Sequence, residues 1–318
     1  GNVWEWCADV GAVNYSTSPV NDPYETNGSN RVFRGGSWQV TADECRSAHR
    51  RLDGFPTYAD INIGFRIVLA PTLAPYVPPA SLNMVPIQTA PFSMGSAAVA
   101  GQGLPATPVH QVTLTQPFWM GKFEVTQAEY QARMGANPST FIGTSRPVET
   151  VSRSNALAYC AALNTAYAGQ IPAGYSFRLP TEAEWEYCCR AGTTTEWNTG
   201  SVAPTCGQAN VGIDILTPCV GSTANVGSYA ANAFGLHDMH GNVGEWVLDK
   251  SDITTSYPST PVTNPYVQNG RFAICRGGNY IASGTATASA VRGLSPLFPS
   301  AANGFRIVLA PTLPITNP

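Results

Sequence analysis

Thiol side chains give this sequence its clearest potential for chemistry, because a cysteine thiolate can act as a nucleophile, bind a metal or form a disulfide. The eight cysteines are Cys7, Cys45, Cys160, Cys188, Cys189, Cys206, Cys219 and Cys275, and no two have C-x-x-C spacing. This argues against a zinc ribbon or a thioredoxin-like site. Cys206 and Cys219 bracket a short loop, so we expect them to bond to each other.

Other catalytic or metal-binding patterns are weak. His237 and His240 are three residues apart, but no third histidine or carboxylate cluster accompanies them, so zinc or iron is not expected. There is no G-x-S-x-G, no phosphate-binding loop and no dinucleotide motif after a strand.

Composition excludes several partners. Charged residues make up 12% of the chain and the net charge is −3, whereas about 25% charged residues is usual. Without a basic run, nucleic acid is not an expected partner, and no apolar run is long enough to predict a membrane span. An even cysteine count with few lysines favours a secreted or cell-surface protein in an oxidising compartment.

The chain repeats itself. GNVWEWCAD at 1–9 returns as GNVGEWVLD at 241–249, and GFRIVLAPTL at 64–73 returns unchanged at 304–313. We therefore predict four parts: 1–73, the C-terminal third of one repeat; 74–87, a Pro-rich linker; 88–313, a complete repeat; and 314–318, a Pro-rich tail. Because the chain opens within a motif, we expect it to be a window on a longer polypeptide.

Few regular elements are expected to position these residues. Thr126 with Glu129 and Thr181 with Glu184 have capping-box spacing and predict helix starts, and a further helix is predicted over about 154–164. After Arg190 the sequence is rich in Gly, Asn, Pro and aromatic residues, with only brief strands. The predicted fold class is α+β with little regular structure.

Seven segments of the complete repeat carry a family resemblance. In chain order they are MGSAAVAGQG, PVHQV, FEVTQAEY, RLPTEAEWEYCCRAG, NVGSYAANAFGLHDMHGNVGEW, RGGNY and GFRIV. Together they resemble the formylglycine-generating-enzyme/sulfatase-modifying-factor family, and residues 1–73 resemble its C-terminal third. The resemblance implies a C-type-lectin-like α+β fold, here repeated in tandem.

The resemblance also implies where catalytic cysteines would lie. Enzymes of the family oxidise a sulfatase cysteine with two cysteines, six and eleven residues after the first residue of an RGGS(Y/W)-type motif. Those positions hold Ala282 and Thr287 in the complete repeat, and Val40 and Cys45 in the first. Neither repeat has the pair, and alanine or threonine cannot replace a thiolate. We therefore predict that the chain is not an enzyme, with a formylglycine-generating oxidase as a remote alternative.

The resemblance further implies structural calcium. The matching positions are Asp238, Gly241, Val243 and Glu245, and a second site would use Asn210 and the Val211 carbonyl. Calcium prefers six to eight oxygen ligands from carboxylates and carbonyls. In the alternative interpretation, Glu245 only accepts backbone hydrogen bonds in a buried turn.

Cys160 and Cys189 match cysteines that form disulfides in the family. Their family partners fall on Ile307 and near Thr287 or Arg292, so neither partner is a cysteine here. A bond from Cys160 or Cys189 to Cys188 or Cys275 is expected instead, with the connectivity open.

One segment differs most between the repeats. It spans 281–303, and in C-type-lectin-like relatives it forms an exposed ligand-binding face. The candidate ligand or assembly residues are Ile281, Ser283, Thr285, Thr287, Val291, Leu294 and Phe298. A constant frame around a changing insert is typical of a binding scaffold, although exposed loops also drift without function.

Two functions follow from these observations. The first is a non-catalytic extracellular structural or adhesive repeat protein, such as the subunit of a filament or surface layer, that self-associates through this face. The second is a receptor-like module that binds a glycan or a protein through the same face.

Overall fold

The structure is a computed structural model that describes residues 2–10, 31–46, 50–54, 60–65, 77–99, 103–214, 217–294 and 299–313. The chain forms two compact units, Gly1–Pro75 and Tyr76–Pro318. Among the described residues, no helix has both the length and the apolar character needed to cross a bilayer.

The N-terminal unit contains one four-stranded sheet. Its strands are β1 (Trp4–Val10), β2 (Arg31–Arg34), β3 (Arg50–Gly54) and β4 (Ile63–Gly64), in the order β3-β2-β1-β4. β1 pairs antiparallel with β2, with Glu5 opposite Arg34, and parallel with β4. A 3-10 helix, Ala42–Cys45, follows β2.

The C-terminal unit contains three α-helices and the remaining strands. The helices are α1 (Gln127–Met134), α2 (Arg153–Ala166) and α3 (Glu182–Arg190). The strands are β5 (Met84–Ile87), β6 (Phe92–Met94), β7 (His110–Thr113), β8 (Phe118–Gly121), β9 (Tyr175–Arg178), β10 (Gly212–Asp214), β11 (Thr217–Pro218), β12 (Gly244–Ser251), β13 (Val262–Thr263), β14 (Phe272–Arg276), β15 (Gly293–Leu294), β16 (Asn303–Gly304) and β17 (Val308–Pro311). This is the predicted α+β class.

Local capping signals begin the helices where the sequence predicts. Thr126 and Glu129 form a complete capping box at α1, and Thr181 and Glu184 form one at α3. In each box the hydroxyl accepts from the third backbone N–H while the glutamate accepts from the cap N–H, which satisfies two otherwise unpaired donors. These starts depend on contacts three residues apart, so the sequence alone could predict them.

The predicted linker 74–87 is too long. Residues 84–87 are strand β5, which pairs antiparallel with β8 at the edge of the sheet β5-β8-β17-β9. Pro86 is tolerated there because an edge strand does not need every backbone donor. The boundary between the compact units lies instead after Pro75.

A second sheet, β15-β14-β12-β16, crosses the C-terminal unit. Glu245 lies opposite Arg276, and β12 pairs parallel with β16. Strand order and these pairings match those of the sheet in the N-terminal unit, where Glu5 lies opposite Arg34. The other sheets are β13-β7-β6 and the hairpin β10-β11.

Helix α3 lies in the centre of the C-terminal unit, and all nine of its residues are buried. Trp185 and Trp246 are almost fully buried, as core residues rather than surface aromatics. All the charged side chains of α3 are in ion pairs: Glu182 with Arg276 and Arg292, Glu184 with Arg178, and Glu186 with Arg276 and Arg190. A helix with buried charges can be placed centrally only when each charge is paired and hydrogen-bonded.

Candidate functional site

The two positions that hold catalytic cysteines in the resembling enzymes lie in different environments here. Ala282 is half-buried, whereas Thr287 is fully buried at the end of the 3-10 helix Gly284–Thr287. The Thr287 hydroxyl donates to the Gly284 carbonyl at 2.7 Å and accepts from Trp197 Nε1 at 3.3 Å. This hydroxyl therefore belongs to the packing of the 3-10 helix and does not face solvent.

A cavity of about 280 Å³ opens beside Ala282. We call it the cleft, and its lining residues are Gly244, Cys275, Gly278, Asn279, Ala282, Ala286, Val291, Gly293, Leu294, Ser300, Ala302 and Asn303. None of these residues carries a formal charge. Gly278 has φ +69°, and a Cβ there would come within 2.6 Å of Thr287 Cγ2, so the close approach requires glycine. The arrangement can hold a neutral group by shape and hydrogen bonds.

The residues predicted to form a ligand face are exposed only in part. Ile281, Thr285 and Leu294 are exposed and Ser283 is half-buried. Thr287 and Val291 are wrong as exposed face residues, because both are buried. Val291 packs in an apolar cluster with Val99, Trp197, Ala288 and Ala290, although it also contributes to the cleft wall. Phe298 lies outside the described residues.

The cysteines divide into one disulfide and six thiols. The predicted Cys206–Cys219 bond is confirmed. The expected bond of Cys160 or Cys189 to Cys188 or Cys275 is wrong, because none of the four forms a disulfide and all are buried. Each packs as a small apolar side chain, Cys160 and Cys275 in one core cluster and Cys188 and Cys189 in another.

Cys189 has a histidine and an asparagine beside it. Its Sγ lies 3.8 Å from His240 Nε2, which lies 2.9 Å from Asn198 Oδ1. Cysteine proteases use these residue types, but burial raises the pKa of Cys189 to about 12 and lowers the pKa of His240 to about 4. Both groups are therefore neutral near pH 7, and no thiolate is available. His237 turns elsewhere, with Nδ1 2.7 Å from the Tyr229 carbonyl oxygen.

Carboxylates surround the turn that the resemblance assigns to calcium. Burial raises the pKa of Glu124 well above its ordinary value, and the neighbouring charges of Asp238 and Glu245 raise it further. Burial likewise raises the pKa of Asp238. Arg306 is the nearby cation, but it forms its ion pair with Glu245. The carboxylates are thus incompletely neutralised by protein cations, which is an electrostatic environment that suits an additional positive charge.

The residues of the first predicted calcium site, around the turn at Asp238, fit calcium in part. Asp238 Oδ2 accepts from the Gly227 N–H at 2.6 Å. Glu245 Oε2 accepts from Arg306 Nε and Trp185 Nε1, and Oε1 accepts from Arg306 Nη2. Glu245 therefore has one lone pair left on Oε1 for an ion, and most ligands would have to be Asp238 and carbonyls. Among the described residues, no three acidic, histidine or cysteine groups are arranged to hold a metal.

Asn210 and Val211, the residues of the second predicted calcium site, differ in whether their oxygens are available to an ion. Asn210 Oδ1 is buried without a hydrogen-bond partner, which is an oxygen that a cation would satisfy. The Val211 carbonyl instead accepts from the Cys219 N–H at 2.8 Å. Asn242 connects the two predicted sites, since it bonds Asn210 Nδ2 through Oδ1 and Glu124 Oε2 through Nδ2. Calcium remains a prediction.

Sequence reasoning missed four residues of this region: Glu124, Asn242, Cys275 and Arg306. Glu124, Asn242 and Arg306 stand inside the quoted motifs FEVTQAEY, GNVGEW and GFRIV, so the motifs contained the signal without indicating that they meet in space. Nothing in the sequence marks Cys275 as a lining residue of the cleft.

Comparisons with known proteins agree with this architecture. The profile of the sulfatase-modifying factor enzyme 1-like domain matches residues 1–71 and 76–311. Chaperone protein LppX of Paenibacillus barcinonensis is 32% identical over 213 residues, covering 54% of this chain and 72% of LppX. The formylglycine-generating enzyme of Mus musculus is 32% identical over 191 residues, covering 55% of this chain and 45% of the mouse protein.

Solved structures give the same result. Treponema denticola variable protein 1 superposes with a TM-score of 0.60 at 27% identity, covering 72% of this chain and 95% of that protein. PvdO from Pseudomonas aeruginosa superposes with a TM-score of 0.59 at 26% identity, covering 71% of this chain and 93% of PvdO. With its fold, motifs and profile match taken together, the chain belongs to the sulfatase-modifying-factor (formylglycine-generating-enzyme-like) family and has its C-type-lectin-like fold.

Proposed function

We propose that this protein is a non-catalytic extracellular binding module, in which the cleft receives an uncharged segment of a glycan or protein partner. One observation carries the proposal: the position of the family's first catalytic cysteine is Ala282, in the wall of a cavity of about 280 Å³ without a charged lining residue. The site is concave, but Ala282 and Thr287 stand where the family's enzymes have their cysteine pair.

The chemistry of the other thiols supports a role without catalysis. Burial raises the pKa of Cys160 and of Cys189 to about 12 and raises that of Cys188 well above its ordinary value. None of these three thiols supplies a thiolate near neutral pH, and an oxidase of this family requires one. LppX is named as a chaperone and the structurally similar Treponema denticola protein as a variable protein, and both names are compatible with a role without catalysis.

A structural or adhesive assembly is the second candidate function. The family profile matches two successive segments, 1–71 and 76–311, and their sheets share strand order and register. This supports tandem repeats, the organisation expected of an array that extends by adding domains. In this function the exposed residues Ile281, Thr285 and Leu294 would contact neighbouring repeats in a filament or surface layer.

Structural calcium at the Asp238 turn belongs to both functions. When bound, the ion would supply positive charge among the carboxylates of Glu124, Asp238 and Glu245. Asp238 and main-chain carbonyls of the turn would hold it. The residues of this chain already fix the turn, because Asn242 bonds Glu124 and Asn210 from its two amide atoms.

A pair of matched variants tests binding at the cleft. Ala286→Phe adds a ring inside the cleft, whereas Thr285→Phe adds the same ring at an exposed position on the same 3-10 helix that does not line it. The full chain is screened against glycan and peptide arrays, and hits are measured by calorimetry. We expect Ala286→Phe to abolish binding and Thr285→Phe to preserve it. Equal loss in both variants, or no saturable hit, contradicts the proposal.

Assembly is tested on native material by electron microscopy, with and without a calcium chelator. Ordered fibres or sheets that fray on chelation would favour the structural function. Dispersed particles under both conditions would exclude it and leave the binding module.

A further inference from the structure

We infer that the Cys206–Cys219 disulfide holds one wall of the cleft in place and makes the cleft redox-sensitive. The segment 206–219, which we call the stapled hairpin, contains β10 and β11 and is closed by this bond. An effect of the disulfide on ligand binding rests on the proposed binding function, whereas its effect on the position of the cleft wall does not.

The stapled hairpin contacts the cleft wall through its backbone. The Gly212 N–H donates to the Ala282 carbonyl at 2.8 Å, and Gly212 forms a parallel bridge with Ser283. Ala282 lines the cleft, and the 3-10 helix Gly284–Thr287 begins directly after Ser283. Strand β10 is therefore in direct backbone contact with this wall and helps to hold it.

The strand pairing within the hairpin is short. Its two strands have three and two residues, and the register between them shifts. A two-stranded ribbon of this length is at best marginally stable in water. The Cys219 N–H donates to the Val211 carbonyl, so the bonded cysteine also continues the ladder toward Gly212. Loss of the disulfide would loosen that contact and the adjacent one to Ala282.

One end of the hairpin keeps an independent anchor. The Asn242 N–H donates to the Asn210 carbonyl at 2.8 Å, and Asn210 Nδ2 donates to Asn242 Oδ1. Reduction is therefore expected to loosen the wall without unfolding the unit.

The Cys206–Cys219 disulfide can be reached by a reductant from solvent, and reduction acts on this bond alone. Cys206 is exposed and Cys219 is half-buried, whereas the other six cysteines are already thiols. A dithiol reductant supplies two electrons and two protons, becomes a cyclic disulfide and leaves Cys206 and Cys219 as thiols. No other covalent bond of the protein is changed by this reaction.

N-ethylmaleimide serves as the probe of the wall, because Cys275 lines the cleft while Cys188 on α3 does not. In the full-chain variant Cys206→Ser/Cys219→Ser, we expect labelling of Cys275 to be about tenfold faster than in the parent, since local opening controls access to a buried group. Labelling of Cys188, which is fully buried in the core, should stay unchanged. Equal rates at Cys275 in variant and parent would overturn the inference.

Hydrogen exchange of the unmutated chain, before and after reduction, provides a second measurement. Faster exchange across 282–287 as well as 205–222, with α3 unchanged, is the expected result. Acceleration confined to 205–222 would overturn the inference. Neither measurement uses a ligand, so a failed ligand screen refutes the proposed function and leaves this result standing.

Discussion

Replacing Glu186 by glutamine tests whether the buried ion pairs of α3 hold the C-terminal unit together. Glu186 is fully buried, and its Oε1 accepts from the Gly95 N–H at 2.8 Å and from Arg190 Nε at 2.9 Å. Its Oε2 accepts from Arg276 Nη2 at 2.6 Å. Glutamine keeps the shape but removes the charge, and its NH₂ group must face at least one of these donors.

The cost follows from the arginines that remain. Arg276 is fully buried and Arg190 nearly so, and the variant leaves both without this carboxylate. Breaking a buried ion pair by removing one partner costs about 3–5 kcal/mol. We therefore expect Glu186→Gln to lower the free energy of unfolding of the C-terminal unit by about that amount. This is a large share of the roughly 5–15 kcal/mol by which a typical domain is stable.

Native-state hydrogen exchange of α3 measures this cost, because its central amides exchange only on global opening of the unit. Asp252→Asn is the matched control, since it neutralises one carboxylate of an exposed pair with Arg271. The control should leave α3 exchange unchanged. A loss below about 1 kcal/mol in Glu186→Gln would refute the conclusion that the arginines need this buried charge.

Four further predictions follow. Calcium at a concentration about a hundredfold above its Kd should stabilise the C-terminal unit by about 3 kcal/mol. Asp238→Asn should remove most of that stabilisation. Calorimetric melting measures both effects, with a chelator as the control. Burial, reinforced by the charge of Glu182, raises the pKa of Asp249 to about 7, so the folded state holds a proton that the unfolded state releases, and this contribution to stability is lost as pH rises through about 4 to 7. Asp249→Asn should flatten that part of the pH profile, and an unchanged slope between about pH 4 and 7 would contradict the assignment. Gly241→Ala should cost more than about 2 kcal/mol in urea unfolding, because φ is +84° and a Cβ would collide with the Asn210 carbonyl. Copper-loaded protein incubated with a cysteine-containing sulfatase peptide should form no aldehyde by mass spectrometry, with an active formylglycine-generating enzyme as the positive control; aldehyde formation would overturn the non-catalytic proposal.

Local patterns were predictable where the contact that matters is close in sequence. Thr126 with Glu129 and Thr181 with Glu184 cap helices through atoms three residues apart. Cys206 and Cys219 are separated by 13 residues and bond across a hairpin. The linker was less predictable, because a Pro-rich stretch does not reveal whether a nearby strand has an edge to join, as β5 does beside β8.

The site could be predicted only as a list of positions. The sequence indicated that Ala282 and Thr287 replace a cysteine pair, but burial assigned Ala282 to the cleft wall and Thr287 to the core. It also indicated the turn at Asp238 without showing that Glu124 and Arg306 meet there. Convergence of side chains more than a hundred residues apart depends on packing, which no short-range pattern encodes.

By itself, the sequence determined the family resemblance, the α+β class, the capped helices and one disulfide. It also showed that Ala282 and Thr287 stand at the positions implied for the catalytic cysteines. These depend on residue identity or on contacts between near neighbours along the chain. The tertiary structure alone decided that Cys160, Cys188, Cys189 and Cys275 form no disulfide. It also decided that α3 is buried with Glu182 and Glu186 paired to arginines. It also decided that a neutral cleft opens at Ala282. The reason is physical: burial and pairing depend on which distant surfaces come into contact, and that is settled only when the whole core packs.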